Sequence, residues 1–505
     1  MGSDLVQVQT VTIVALVIFS ILMIGIGIYS LSKTKTMDGF LLGSRKIGAW
    51  VSAFAYGTSY FSAVIFIGYA GKHGWDIGFA SMWIGIGNAI LGCLLAWLIL
   101  AKRTRTMTHT LNVKTMPEFF ESRYMSTNMK VFAAVIIFVF LVPYSAAVYK
   151  GLGSMFNTIF PMVDVKVCML IVAVLTAVYL VLGGYVATAY TDFIQGIIMI
   201  FGVAAMVIAI VKNPAIGGIS AGIEKIKSIN PDLVCPWGAG NWKFLCTNIL
   251  LTSFGTWGLP QMVSKYYAIK DEKSIKEATV ISTVFAAIIG CGAYFIGSLA
   301  RLILNNQLPE GGYDAVIPKM LLLGLGDANI FTTIILAVIL LLLLSASMST
   351  LASVVLTSAS AISVDLVPVV NKNYRKEKQM GLTRILCFIF VGLSYIFATM
   401  NIAIIVSIMS FSWGVVSGCF IGPYLWGIYS KKTTKIGAWA GMIGGFLTIA
   451  IPTIIMSVTI GFKAASGYSP QMGVAAMAVS IIIVPVVSSF TKKFDEKHLE
   501  KVFTE

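Results

Sequence analysis

Residues 50–71 read WVSAFAYGTSYFSAVIFIGYAG and residues 244–263 read FLCTNILLTSFGTWGLPQMV. Each is long and apolar enough to cross a bilayer, which takes about 20 residues. Each also crowds helix-weakening residues at its middle: Gly57, Thr58, Ser59, Tyr60 and Ser62 in the first, and Thr252, Ser253, Gly255, Thr256, Gly258 and Pro260 in the second. Gly, Pro and hydroxyl residues loosen the helical ladder while offering partners to the backbone groups they free. A lone glycine is explained by close helix packing. Matched clusters at mid-depth in two segments instead point to interrupted helices around a transporter's central site.

The rest of the chain agrees with a membrane setting. Of 505 residues, 58% are apolar and 11% charged, against about 25% charged in ordinary globular proteins. Apolar runs predict an all-α polytopic membrane protein with about thirteen spans, near 10–30, 49–70, 79–101, 131–149, 168–182, 192–211, 245–262, 279–302, 329–360, 385–400, 402–428, 437–458 and 473–487. The opening MGSDLVQVQT has no basic stretch, so the first run is read as a retained span. The interrupted spans are the second and the seventh. Their separation predicts a five-span unit repeated once with inverted orientation, at 49–211 and 245–428. An outside loop (212–244) joins the two; 1–48 holds the first span and a loop, and 429–505 holds two further spans and the tail.

With the N-terminus outside, 26 of the 36 Lys and Arg fall in inner loops and the tail, which predicts N-out, C-in. That asymmetry accounts for the net charge of +15 and excludes a nucleic-acid footprint. The expected location is the cell membrane, multi-pass, in contact with the lipid bilayer. Cys235 and Cys246 near the long loop leave a disulfide open. His73, His109 and His498 are scattered in predicted loops, which excludes a histidine-based metal enzyme, and no nucleophile–base constellation marks an enzyme of another kind. Thr115–Tyr124, TMPEFFESRY, predicts a short surface helix anchored to the membrane face by Phe119 and Phe120.

Five stretches in order carry a resemblance: FLLGSRKIG (40–48), LGGYVATAYTDFIQG (182–196), WGLPQMVSKYYAIK (257–270), SASMSTLASVVLTSASAISVDL (345–366) and GIYSKKTTKIGAWAGMIGG (427–445). The chain resembles the sodium:solute symporter family. The resemblance implies a five-plus-five inverted-repeat, leucine-transporter-like core and sodium-driven uptake of a small organic solute. It also implies a sodium site from the carbonyls of Thr58, Phe61 and Ala346 and the hydroxyls of Ser349 and Thr350. Some members use a second sodium site, whose matching residues are Asp192, Ser349 and Ser353. Here Ala352 replaces a further serine, so one or two coupled sodium ions both stay open.

A span with serines at 345, 347, 349 and 353 and a threonine at 350 supplies the neutral oxygens a dehydrated sodium ion needs, although hydroxyls in membrane helices also bond back to i−4 carbonyls. Asp192 stands where a span begins, so helix capping is its alternative role. Candidate solute contacts are Tyr60, Ser62, Trp83, Asn88, Trp257 and Gln261. The scarcity of acidic groups at mid-membrane disfavours a cationic solute. A carboxylate-bearing one is favoured: an amino acid such as proline, a monocarboxylate, pantothenate or sialic acid. A sodium-coupled sugar symporter, a proton-coupled carrier and a channel are the competing readings.

Overall fold

The structure, a computed structural model, describes residues 2–31, 36–325, 330–400 and 402–503. Of the expected features, Lys33, Lys35 and position 329 at the start of the ninth span lie outside the described residues. Among the described residues the regular structure is helical, apart from one isolated bridge between Ile47 and Ile269.

Among the described residues, ten helical stretches are long and apolar enough to cross a membrane. Two are far longer than one crossing needs: Ala49–Thr110 has 62 residues and Val165–Val211 has 47. At about 1.5 Å per residue, each exceeds twice the roughly 30 Å of a hydrocarbon core, so each has to change direction. The first breaks at Phe61, which is extended (φ −103°, ψ 108°), and again at Gly78 (φ 56°, ψ −135°). The second kinks at Gly184 (φ 53°, ψ −146°), where a Cβ would meet the Phe40 ring at 2.5 Å, so only glycine fits. Trp242–Gly258 has 17 residues and stops at extended Leu259, the residue before Pro260, which then leads the short helix Pro260–Ala268.

Close helix approach rests on small residues. A Cβ on Gly85 would stand 2.7 Å from the Gly290 carbonyl carbon, on the neighbouring helix Glu272–Ile303. One end of the bundle gathers the predicted basic loops. Arg45 donates to the Val113 carbonyl (2.7 Å), Arg105 to that of Lys270 (2.6 Å) and Arg123 to that of Ser430 (2.8 Å). The tail's His498 ring nitrogen lies 3.0 Å from the Arg123 carbonyl.

Two expectations are corrected. Phe119 and Phe120 of the helix Met116–Tyr124 are fully buried against Tyr424 and Phe420, and so pack into protein rather than onto lipid. The three histidines are not in loops: His73 is in the helix Gly71–Ile77, buried between the rings of Tyr69 and Phe244, His109 is in Lys102–Thr110 and His498 in Glu496–Val502. All seven cysteines, Cys235 and Cys246 included, are free.

Candidate functional site

The helix Ala49–Tyr60 ends inside the bundle, and a helix that ends leaves its last carbonyls without onward donors. The Phe61 N–H still reaches the Gly57 carbonyl (3.0 Å), so the ladder fails from Thr58 onward. The next segment restarts with the Val64 N–H donating to the Ser62 hydroxyl (3.2 Å). The freed carbonyls carry the negative end of the helix dipole.

The helix Ile330–Ser360 passes beside this break and fills it with hydroxyls. Ser349 donates to the carbonyls of Thr58 (2.9 Å) and Ala346 (3.2 Å). Thr350 donates to the same two carbonyls, each at 3.0 Å. Thr58, Ala346, Ser349 and Thr350 are all fully buried. Four of the five sequence-predicted sodium ligands therefore meet at one point. Phe61 flanks them at the break, its ring stacked 4.4 Å from that of Tyr60. The oxygens are neutral carbonyls and hydroxyls, the donor set that suits a monovalent hard cation. A hydroxyl also carries acceptor lone pairs, so rotation of two O–H bonds turns the cluster from self-bonded to cation-facing.

The predicted second trio does not assemble. Ser349 is committed to the first cluster, whereas Ser353 pairs with the Ser59 hydroxyl (2.8 Å). Ser353 also accepts from Lys265 Nζ (3.0 Å). Lys265 lies 3.8 Å from an Asp192 carboxylate oxygen, with both side chains buried. Asp192 is not a helix cap. It sits inside the helix that resumes after Gly184, and neither of its oxygens accepts a hydrogen bond among the described residues.

Lys265 belongs to this buried cluster although the positive-inside reading of the sequence places it with the inner-loop basic residues. A signal was available: it is the one charged residue between Phe244 and Ile269.

A small cavity lies just beyond the break. Of the candidate solute contacts, Tyr60, Ser62 and Asn88 line it, joined by Phe61, Thr252, Tyr294 and Trp413 among others. Tyr60 donates to the Thr252 carbonyl (2.7 Å), and Asn88 Oδ1 accepts from Thr252 (2.7 Å) and Ser253 (3.2 Å). The buried Tyr294 hydroxyl on its wall has no hydrogen-bond partner among the described residues. The other three candidates lie elsewhere. Trp83 donates to the Pro236 carbonyl (3.0 Å) and stacks on Trp237 (5.3 Å) at the opposite end from the basic loops. Trp257 donates to the Leu91 carbonyl (3.0 Å). Gln261 is buried with its amide unpartnered among the described residues, away from this cavity.

A bundle of apolar helices, broken at mid-depth beside a polar cavity and a cluster of cation-ready oxygens, is the build of a secondary membrane carrier. The profile described as the sodium:solute symporter family matches residues 40–445. The osmoregulated proline transporter OpuE of Bacillus subtilis is 26% identical over 485 residues, covering 95% of this chain and 95% of that protein. The sodium/pantothenate symporter of Haemophilus influenzae is 26% identical over 469 residues, covering 89% and 91%. Among solved structures, the substrate-bound outward-open state of a Na+-coupled sialic acid symporter superposes with a TM-score of 0.78 at 18% identity. That superposition covers 96% of this chain and 99% of the other, and shows a shared fold. The chain belongs to the sodium:solute symporter family, as a multi-pass membrane protein.

Proposed function

We propose that this protein couples inward sodium movement to uptake of a compact, carboxylate-bearing solute, with an amino acid of proline's size as the leading candidate. The observation that carries the reading is the convergence of Ser349 and Thr350 on the carbonyls of Thr58 and Ala346 at the helix break. In this reading sodium takes the oxygens of Thr58, Phe61, Ala346, Ser349 and Thr350, tying Ala49–Tyr60 to Ile330–Ser360. The next residues, Tyr60, Phe61 and Ser62, line the solute cavity. Ordering the break around sodium thus orders the solute wall, and by linkage solute binding strengthens sodium binding equally.

Proline and pantothenate, named for the relatives, both carry a carboxylate. The cavity leaves only about 20 Å³, room for about one water, so it has to widen to take a solute, and a compact solute asks the least widening. Asn88, Thr252 and Tyr294 supply its polar partners. Gln261, Trp83 and Trp257 are assigned roles outside solute contact. The topology that suits this work is thirteen spans with two inverted five-helix units, N-out and C-in, the basic end facing the cytoplasm.

Each sodium ion moving down about 100 mV gains roughly 2.3 kcal/mol, and a tenfold gradient adds about 1.4 kcal/mol. One ion then sustains roughly 500-fold accumulation of a neutral solute. The test is uptake of radiolabelled L-proline into proteoliposomes with sodium, potassium or proton gradients imposed separately, with pantothenate, pyruvate, sialic acid and glucose as competitors. The expected result is uptake driven by sodium alone. Uptake indifferent to sodium that collapses with the pH gradient overturns the reading, and competition by glucose alone replaces the solute class.

A further inference from the structure

The carboxylate of Asp192 and the hydroxyl of Ser353 come from two different helices, Val165–Val211 and Ile330–Ser360. Between them stands the ammonium of Lys265, carried by a third, Pro260–Ala268. The same ammonium lies 5.0 Å from the centre of the Tyr185 ring. A carboxylate, a hydroxyl and an aromatic face around one position make a complete seat for a cation, and the chain fills that seat itself. A second sodium ion does not fit these residues. Its charged ligand already faces Lys265 at 3.8 Å. Its hydroxyl is shared by Lys265 and Ser59, Ser349 is turned to the first cluster, and Ala352 offers no side-chain oxygen.

We infer that Lys265 is a tethered cation that permanently takes the place of a second sodium ion, so that this protein binds and couples one sodium per solute. The inference deepens the proposed sodium coupling and rests on it. A tethered cation gives the electrostatic cross-link that a bound ion would give, pinning the helix after the Leu259 break to the two scaffold helices. It contributes nothing to the driving force, because it does not cross the membrane. Its place in the fold adds a second consequence. Ser353 bonds to Ser59, the residue next to Thr58, and a cavity reaching Lys265 and Ser353 continues past Thr188 and Thr357 to Asp365. A sodium ion leaving the first cluster along this line meets a like charge, which disfavours lingering there and prevents a second ion from queuing behind it.

The experiment counts sodium ions in the purified full-length protein. Thermal stability and intrinsic tryptophan fluorescence are titrated with sodium chloride at constant ionic strength, choline replacing sodium. The stoichiometry is then measured in proteoliposomes from the membrane potential that cancels net L-proline flux. Wild type is expected to show a single sodium site, a Hill coefficient of 1 and an accumulation ceiling of roughly 500-fold at about 100 mV and a tenfold sodium gradient. Lys265→Ser, which empties the seat and adds a small oxygen ligand, is expected to gain a second sodium site and a Hill coefficient approaching 2. Lys265→Arg keeps one site. Asp192→Asn combined with Lys265→Ser removes the gained site. Two sodium ions in wild type overturn this inference alone and leave sodium coupling standing, even if the serine variant fails to fold. A wild type that responds to choline and sodium alike overturns the first-cluster reading and this inference with it.

Discussion

Replacing Thr350 by Val removes one hydroxyl and keeps the β-branched shape, so the change falls on chemistry rather than packing. In the structure the Thr350 hydroxyl donates to the carbonyls of Thr58 and Ala346, each at 3.0 Å. Ser349 donates to the same two carbonyls at 2.9 and 3.2 Å, so neither buried acceptor is orphaned by the substitution. The cost to folding is therefore that of one ordinary hydrogen bond, about 1 kcal/mol.

Sodium binding loses more, because the hydroxyl oxygen then faces a full charge. Hydrogen bonds to charged groups contribute about 1.5–3 kcal/mol, and on that scale one lost oxygen weakens sodium binding about 10- to 100-fold. The assay is L-proline uptake in proteoliposomes against sodium concentration, with the potential clamped and thermal stability measured on the same preparation. The expected outcome is a half-saturating sodium concentration raised at least tenfold with near-normal melting. Thr350→Ser, which restores the oxygen and drops only the methyl, should return it to within about twofold. A Thr350→Val protein with unchanged sodium dependence refutes the assignment of this cluster.

Other substitutions test other contacts. Asp192→Asn leaves the Lys265 ammonium buried without its counter-charge and should cost about 3–5 kcal/mol; adding Lys265→Met should recover most of the melting temperature, because the pair is removed together. Gly85→Ala sets a methyl against the Gly290 backbone and should destabilise by about 1–3 kcal/mol, whereas Gly392→Ala, with open space at its Cβ, should melt at or above wild type. Asn88→Ala should raise the KM for L-proline, since Asn88 lines the cavity. Trp83→Ala should leave that KM within about twofold, having lost a Trp237 stack worth about 0.5–1.5 kcal/mol; a KM rise from Trp83→Ala alone would move the solute site outward.

The helical class and the positions of the breaks were legible because they depend on local chemistry. Hydroxyls and glycines around Thr58, and Pro260 after Leu259, weaken a helix wherever it is placed. The pairing of Ser349 and Thr350 with Thr58 was legible only through the resemblance, because nothing in the spacing of 58 and 349 brings them together. The depth of Trp83 was not legible for a related reason. Trp83 and Asn88 lie five residues apart in one apolar run, and hydropathy cannot tell which depth each reaches. The structure puts Trp83 under the Pro236 carbonyl and Asn88 under Thr252. Phe119 and Phe120 were misassigned because an aromatic pair beside a membrane span reads the same whether it faces lipid or Tyr424.

Lys265 shows where a charge rule stops working. The positive-inside rule sorts basic residues by the loop they occupy, and it carries no information about a lysine on a short helix that turns back into the bundle. Pro260 ends one helix and starts another, and Ile269 then pairs with Ile47 in the isolated bridge, with the Lys270 N–H donating to the Ile47 carbonyl (2.9 Å). That bridge and the Arg105 contacts to the carbonyls of Ile269 and Lys270 fix the end of the short helix. Lys265, one turn earlier, is thereby held at the depth of Asp192. Both interrupted segments supply cavity residues: Thr252, on the helix that ends at Leu259, and Tyr60, two residues after Thr58. In the proposed reading, a shift of the first segment moves Thr58 and the Tyr60 wall together, and a shift of the second moves Thr252 on the opposite wall. The proposed coupling therefore runs through the first break, where Thr58 and Tyr60 are two residues apart.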